Sequence, residues 1–130
     1  MSEDYSTLWE FWDSWRGTKN HAWSGGPHVI MSKHFAGITP LEAGYEKVKI
    51  DPQYTLSDSI SCTVPSVKGL ITLNYKKEDG NYTVDLNLPK DIKTVLYVPT
   101  GAAVNINSEA YYHNGEYIND NKDTVKIVEK

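Results

Sequence analysis

The feature that most constrains this fold is a run of short candidate strands that starts at Tyr45 and continues to the end of the chain. In residues 84–88, VDLNL, apolar and polar side chains alternate with the period of a half-buried strand. Turn sequences separate such runs, as at 78–81 (EDGN) and 114–115 (NG), and they are typical of β-hairpins. The pattern predicts a mainly β fold, an antiparallel β-sandwich of jelly-roll-like type. The candidate strands span 45–50, 58–64, 67–76, 81–88, 93–98, 102–107, 110–113, 116–118 and 124–129.

The segment before these strands has a different pattern, because it holds all four tryptophans of the chain. Apolar residues recur with helical spacing in 7–15 and predict a short helix there, with Thr7 and Glu10 matching a capping box. Pro27 after two glycines predicts the start of a second helix, and Gly37 predicts its end. Two short helices cannot bury so many large rings against each other. We therefore expect them to pack on the sheet, on a second copy of the chain, or on a segment outside it.

Charge, hydropathy and cysteine content argue against several classes of protein. The net charge is −4 and there is no basic patch, so nucleic acid is not an expected partner. No apolar run approaches the ~18–20 residues of a membrane-spanning helix, so no membrane partner is expected either. Residues 1–10 lack the basic and apolar regions of a signal peptide. Cys62 is the single cysteine, so we expect no internal disulfide and a buried structural thiol within a strand.

Three stretches, TLWEFWDSW, NHAWSGGP and HFAGITPLEAGYEKVKIDP, resemble the end of the catalytic domain of bacterial α-L-rhamnosidases, glycoside hydrolase family 78. The later stretch VPSVKGLITLNYKKEDGNYTVDLNLP resembles the start of that family's C-terminal β-sandwich. The resemblance implies that residues 1–44 are the last helices of an incomplete (α/α)6 barrel and that 45–130 form the C-terminal β-sandwich domain. On this interpretation the chain is a C-terminal fragment of an enzyme that hydrolyses terminal α-L-rhamnosides with inversion.

The same resemblance implies roles for residues of the Trp-Glu and Asn-His motifs. Glu10 occupies the position of the general base that activates water, and His21 occupies that of a sugar contact. Trp15 is a candidate for stacking on a sugar ring. The family's general acid lies upstream in the barrel and no segment here matches it, so we expect the fragment alone to be inactive. Two alternatives stay open, namely Glu10 as a helix cap and His21 as a loop histidine that tethers the backbone.

A second hypothesis is a non-catalytic carbohydrate-binding or interaction β-sandwich module with exposed tryptophans as its platform. A third is a degenerate relative that keeps the barrel and has lost the upstream acid. We expect no cofactor and no metal, because His28 and His34 are not spaced as ligands on one helix face. The expected partners are a rhamnose-containing glycan, bound through the parent enzyme, and further copies of the chain in a homo-oligomer through exposed N-terminal helices. The compartment stays open between bacterial cytoplasm and periplasm.

Overall fold

The computed structural model describes residues 7, 9–11, 16–99, 101–106, 109–110, 116–118 and 124–129. Within these ranges, one helical segment is followed by ten strands in two five-stranded sheets. The predicted mainly β fold is thereby confirmed as a β-sandwich preceded by a helix, whereas about two short helices were expected before the sandwich. The strands are β1 (Ile38–Pro40), β2 (Lys47–Ile50), β3 (Ser59–Ser66), β4 (Gly69–Glu78), β5 (Asn81–Asn87), β6 (Lys93–Val98), β7 (Ala103–Ile106), β8 (Glu109–Ala110), β9 (Glu116–Ile118) and β10 (Thr124–Glu129).

The helical segment consists of a 3₁₀ turn (Ala22–Gly25), helix α1 (Gly26–Ile30) and a π-helical turn (Met31–Phe35), without a break between them. Pro27 lies in the first turn of α1, where its missing N–H is tolerated. The segment ends at Gly37, whose φ of +72° favours glycine. The predicted second helix and its end at glycine are both confirmed.

The helix predicted over 7–15 is wrong where the structure describes it, because residues 7 and 9–11 are not helical. The N–H of Glu10 donates to the carbonyl of Thr18 at 2.9 Å, and the Thr7 hydroxyl donates to the carbonyl of Lys19. Both groups of the expected capping box therefore bind the returning chain instead of a helix terminus. Residues 8 and 12–15 lie outside the described residues.

The chain passes back and forth between the two sheets, so neither sheet is built from one continuous stretch of sequence. Sheet A has the strand order β1-β2-β6-β10-β9, and sheet B has the order β3-β4-β5-β7-β8. The pairing is mixed and not only antiparallel, since β2–β6, β6–β10 and β5–β7 are parallel. Two parallel neighbours must be joined by a long crossover connection. In this fold the connection passes through the other sheet, so strands that are parallel neighbours in one sheet are separated in sequence by strands of the other. Between β5 and β7, for example, the chain forms β6 in sheet A.

Local turn chemistry fixes the hairpin between β4 and β5. Asp79 and Gly80 have φ values of 49° and 80°, and Glu78 pairs with Asn81 across the turn. Two successive positive φ angles are the requirement of a type I′ turn, so this predicted hairpin is confirmed. The other predicted hairpin, 114–115, lies outside the described residues.

Strand β1 has no counterpart among the strands predicted from the sequence, which begin at Tyr45. It pairs antiparallel with β2, with Ile38 opposite Ile50. A 3₁₀ turn over Ala43–Tyr45 joins the two strands. The division of the chain between residues 44 and 45 into a barrel part and a sandwich domain stays a prediction.

The hydrophobic core lies between the two sheets and is built from alternate residues of their strands. Sheet A contributes Ile38, Val48, Ile50, Leu96 and Val98, and sheet B contributes Ile60, Ile71, Leu73, Tyr75, Val84, Leu86 and Val104. Among the described residues, no helix is long and apolar enough to cross a membrane.

Tyr54 joins this core from the loop between β2 and β3. Its hydroxyl donates to the carbonyl of Tyr97 in β6 at 2.7 Å, and its ring meets that of Tyr75 edge-on at 4.7 Å. Burial, with the nearby Asp51 carboxylate, raises the pKa of Tyr54 well above the ordinary range of a phenol. Tyr54 therefore bridges the two sheets in its neutral form.

Candidate functional site

The predicted site residues Glu10 and His21 lie in one folded segment, which we call the N-terminal loop (residues 7, 9–11 and 16–24). Its last three residues also belong to the 3₁₀ turn that opens the helical segment. Side chains on its first part bind the backbone of its second part, and the reverse also occurs. Ser24 donates its hydroxyl proton to the carbonyl of Trp9 at 2.6 Å, which closes the loop next to the helical segment. These hydrogen bonds substitute for regular secondary structure, and they fix where each functional side chain can lie.

The Glu10 carboxylate is half-buried, and Thr18 of the returning chain donates two hydrogen bonds to it. Its Oε2 accepts the backbone N–H of Thr18 at 2.9 Å and the Thr18 hydroxyl at 3.3 Å. Gly17 makes this approach possible for two reasons. A Cβ at this position would lie 2.6 Å from Oε2 of Glu10, and the φ of Gly17 is +63°, a backbone conformation that favours glycine. Both donors are neutral groups, so these two hydrogen bonds position the carboxylate and bring no charge to it.

His21 lies three residues after Thr18, at the start of the 3₁₀ turn that precedes α1. Its Nδ1 accepts the backbone N–H of Trp23 at 3.4 Å. In a neutral imidazole this contact puts the proton on Nε2, which is then a hydrogen-bond donor. The contact is the backbone tether of the structural alternative, whereas the sugar contact of His21 stays a prediction.

The tryptophans of the N-terminal loop divide into a buried and an exposed residue. Trp9 is 9% exposed, and the ammonium of Lys19 lies 5.7 Å from its ring centroid. Trp23 is 64% exposed, and its ring lies 4.3 Å from that of His21 at an angle of 41°. Trp23, and not Trp9, therefore offers an aromatic face beside the predicted sugar contact. Trp15, the predicted stacking residue, lies outside the described residues.

Two residues that serve this site were not identified from the sequence. Thr18 supplies both hydrogen bonds to Glu10, and Gly17 supplies the turn and the space for them. The one sequence signal for them is a glycine followed by a hydroxyl residue in a polar loop. Trp23 carried a clearer signal, since it follows His21 by two residues in the Asn-His motif.

Other reactive groups do not extend the site. Within the part of the chain that the structure describes, no group of three or more His, Cys, Asp or Glu side chains is placed to hold a metal ion. Cys62 is half-buried in β3, and burial raises the pKa of its thiol, which disfavours the reactive thiolate at neutral pH. His28 and His34 are exposed on the helical segment.

Comparison with known proteins adds a family to this geometry. The family model described as the bacterial alpha-L-rhamnosidase C-terminal domain matches residues 37–113. This match begins at the end of the helical segment, so it includes strands of the sandwich and not Glu10 or His21.

Individual relatives agree with the family match. An alpha-L-rhamnosidase of Streptomyces avermitilis is 26% identical over 105 residues, which is 72% of this chain and 10% of that protein. The solved structure of the Streptomyces avermitilis alpha-L-rhamnosidase complexed with L-rhamnose has a TM-score of 0.60 and 26% identity, and covers 71% of this chain and 10% of its own. The GH78 family rhamnosidase of Bacillus sp. GL1 has a TM-score of 0.59 at 22% identity, over 74% of this chain and 10% of its own, which shows the fold alone. The chain spans about a tenth of the length of these relatives.

Proposed function

This chain belongs to the family of bacterial alpha-L-rhamnosidase C-terminal domains, and from that premise we propose that it is the C-terminal part of an enzyme that hydrolyses terminal α-L-rhamnosides with inversion. The observation that carries the proposal is the N-terminal loop, in which a positioned carboxylate, a histidine donor and an exposed indole occur together. Glu10, His21 and Trp23 supply these three groups.

Glu10 acts as the general base in this proposal. Inverting hydrolysis needs a carboxylate that deprotonates water and a carboxylic acid that protonates the leaving oxygen, about 6.5–9.5 Å apart. The two hydrogen bonds from Thr18 hold Oε2, so Oε1 accepts the proton of the water. The water attacks the anomeric carbon on the face opposite the leaving group, and the configuration inverts. The acid comes from the part of the parent chain that precedes this sequence.

His21 and Trp23 hold the sugar beside that base. The Nε2–H of His21 donates to a sugar hydroxyl, and the exposed indole of Trp23 lies against the C–H face of the ring. Without the upstream acid these residues orient a sugar but do not cleave it. The chain by itself is therefore inactive, and turnover of an aryl α-L-rhamnoside by the pure 130-residue chain would contradict this statement.

The apolar side chains of the helical segment are part of the same proposal. Val29, Ile30 and Met31 are exposed on this segment, and Trp23 in its first turn is exposed as well. Contiguous exposed apolar surface marks an interaction site. In the parent enzyme this surface packs against preceding helices of the barrel, and in the isolated chain it supports a homo-oligomer.

The test compares wild type and Glu10→Gln in the parent chain on an aryl α-L-rhamnoside. We expect Glu10→Gln to lower kcat by about 10²–10⁴-fold, because it removes the proton acceptor and keeps the shape of the side chain. Glu42→Gln is the matched control, since Glu42 is exposed on the connector before β2. Equal activity of Glu10→Gln and wild type would make Glu10 a structural residue that only closes the loop on Thr18.

A further inference from the structure

The outward face of sheet B is a surface of mostly neutral hydrogen-bonding side chains. Alternate residues of β3, β4 and β5 fill the core, so the residues between them face away from it. The strand register places these outward residues in three rows across the sheet. The rows are Thr63–Thr72–Asn87, Ser61–Asn74–Asp85–Asn105 and Ser59–Lys76–Thr83.

Hydrogen bonds between neighbouring strands hold these rows in place. The Ser61 hydroxyl donates to Oδ1 of Asn74 at 2.8 Å, and the hydroxyls of Thr63 and Thr72 lie 3.1 Å apart. Because Oδ1 of Asn74 is already an acceptor, its NH₂ group is the part that offers donors to a ligand. The surface is thus ordered before anything binds, which lowers the entropy cost of binding.

A groove runs through two of the rows. Its volume is about 250 Å³, just below the ~300–1,000 Å³ of pockets for drug-sized ligands, so it suits one sugar ring with the rest of a chain on the rows beside it. Buried Ile60 and Tyr75 also line it. The other side chains that line it are those of Ser59, Ser61, Asn74, Lys76, Thr83 and Asp85, and most of the surface they expose to the groove is carbon, which suits the C–H face of a sugar ring.

The charges on this face favour a neutral ligand. Lys76 forms an ion pair with Glu78 at 2.6 Å, and Asp85 adds a carboxylate. No cluster of cations is present on the described part of the face, so it does not suit a polyanion such as a nucleic acid or an acidic polysaccharide. Hydroxyl and amide groups in rows are instead the complement of a polyol.

An aliphatic end completes the surface. Leu70 is 62% exposed and pairs with Pro65 at one end of β3 and β4, next to the threonine row. A deoxyhexose carries a methyl group and apolar C–H faces beside its hydroxyls, and this combination matches an aliphatic end next to polar rows.

We propose that the outward face of sheet B binds a neutral, rhamnose-containing glycan at a site without catalytic groups. The neutral polyol character follows from the side chains of the face, whereas the choice of rhamnose rests on the proposed function. This second site holds the polymer while the N-terminal loop serves the cleavage site.

The test is an NMR titration of the 130-residue chain with methyl α-L-rhamnoside and with a rhamnose trisaccharide. We expect saturable amide shifts in β3, β4 and β5, with a Kd of about 1 mM for the trisaccharide. Asn74→Ala and Lys76→Ala are each expected to weaken binding about three- to tenfold through the loss of hydrogen bonds. Lys93→Ala is the matched control, because Lys93 is exposed on the outward face of sheet A and should leave the Kd unchanged.

The outcomes separate this site from the cleavage site. Shifts that are absent from β3, β4 and β5, or a Kd that Asn74→Ala and Lys76→Ala leave unchanged, would overturn the proposal. Loss of binding in Glu10→Gln with His21→Ala, and not in the face variants, would place the sugar on the N-terminal loop and would also overturn it. Binding at the face, together with a parent enzyme inactive on rhamnosides, would support this site and remove the proposed function.

Discussion

The β-sandwich and the N-terminal region before Gly37 are stabilised in opposite ways. The sandwich buries its large aliphatic side chains between two sheets, and Ile71 at its centre is 0% exposed. The helical segment buries none of its residues from Ala22 to Phe35, and Ile30 is 58% exposed. The N-terminal loop depends on hydrogen bonds between side chains and backbone.

The difference shows which part of the chain carries its own source of stability. Burial of apolar area contributes about 25 cal/mol per Å², whereas an exposed hydrogen bond contributes about 1 kcal/mol or less. The sandwich therefore folds around its own core. The N-terminal region instead exposes apolar side chains, such as those of Ile30 and Met31. It also carries the residues proposed for catalysis.

The largest expected effect comes from a matched pair of isoleucines, one in each region. Ile71→Ala should lower the free energy of unfolding by about 2–5 kcal/mol, because it leaves a cavity between the sheets. Ile30→Ala should change it by about 0.5 kcal/mol or less, since its side chain is mostly in water already. Urea unfolding followed by circular dichroism measures both. Similar losses for the two variants would mean that the helical segment shares the core of the sandwich.

A smaller effect is expected at Tyr54, where the sandwich depends on a polar contact. Tyr54→Phe removes the hydrogen bond to the carbonyl of Tyr97 and should lower the free energy of unfolding by about 1–2 kcal/mol at neutral pH. The pKa of Tyr54 is raised in the folded state, whereas an unfolded tyrosine ionises near ~10. The folded state therefore keeps a proton that the unfolded chain loses, so wild-type stability falls as pH rises above about 10.

Urea unfolding at several pH values between about 8 and 11 measures this dependence. The slope of stability against pH above about 10 should be smaller in Tyr54→Phe than in wild type, although Tyr75, whose pKa burial also raises, keeps part of it. Equal slopes in the two proteins would show that the Tyr54 phenol ionises as readily in the folded state as in the unfolded chain.

The smallest expected effect concerns association of the isolated chain through its helical segment. Light scattering should detect dimers or larger oligomers of the wild type at high concentration. Ile30→Ser with Met31→Ser should weaken association about tenfold, which corresponds to ~1.4 kcal/mol. Leu56→Ser with Val67→Ser is the control, because those side chains are exposed on the sandwich and should not matter. A wild type that stays monomeric would remove the helical segment as an association surface.

Much of the sandwich could be predicted from the sequence because its signals are local. The strands at 93–98 and 124–129 and the turn at Asp79–Gly80 follow from alternation and from turn chemistry. Strand β1 could not be predicted, since three residues with a terminal proline become a strand only through pairing with β2. The parallel pairs could not be predicted either, because the order of strands depends on which sheet the chain enters next.

The site was harder to predict, and for a different reason. Glu10 and His21 are candidates through a family resemblance alone, whereas the spacing of Thr7 and Glu10 predicted a helix cap. The true partner, Thr18, depends on the positive φ of Gly17, which turns the chain back onto the carboxylate. Exposure separates Trp23 from Trp9, and exposure follows from tertiary packing that no local pattern encodes.

The junction at Gly37 holds the two regions together by backbone contacts in addition to the chain itself. The carbonyl of Phe35 accepts the N–H of Gln53 at 3.0 Å, and that of Gly37 accepts the N–H of Asp51 at 3.2 Å. A Cβ at Gly37 would collide with the backbone of Asp51, so only glycine lets the two backbone segments approach this closely. In mechanical terms, these two hydrogen bonds and the close approach at Gly37 brace the helical segment against the chain that follows β2. A glycan held on the sandwich would therefore approach the helical segment from a direction that this bracing sets.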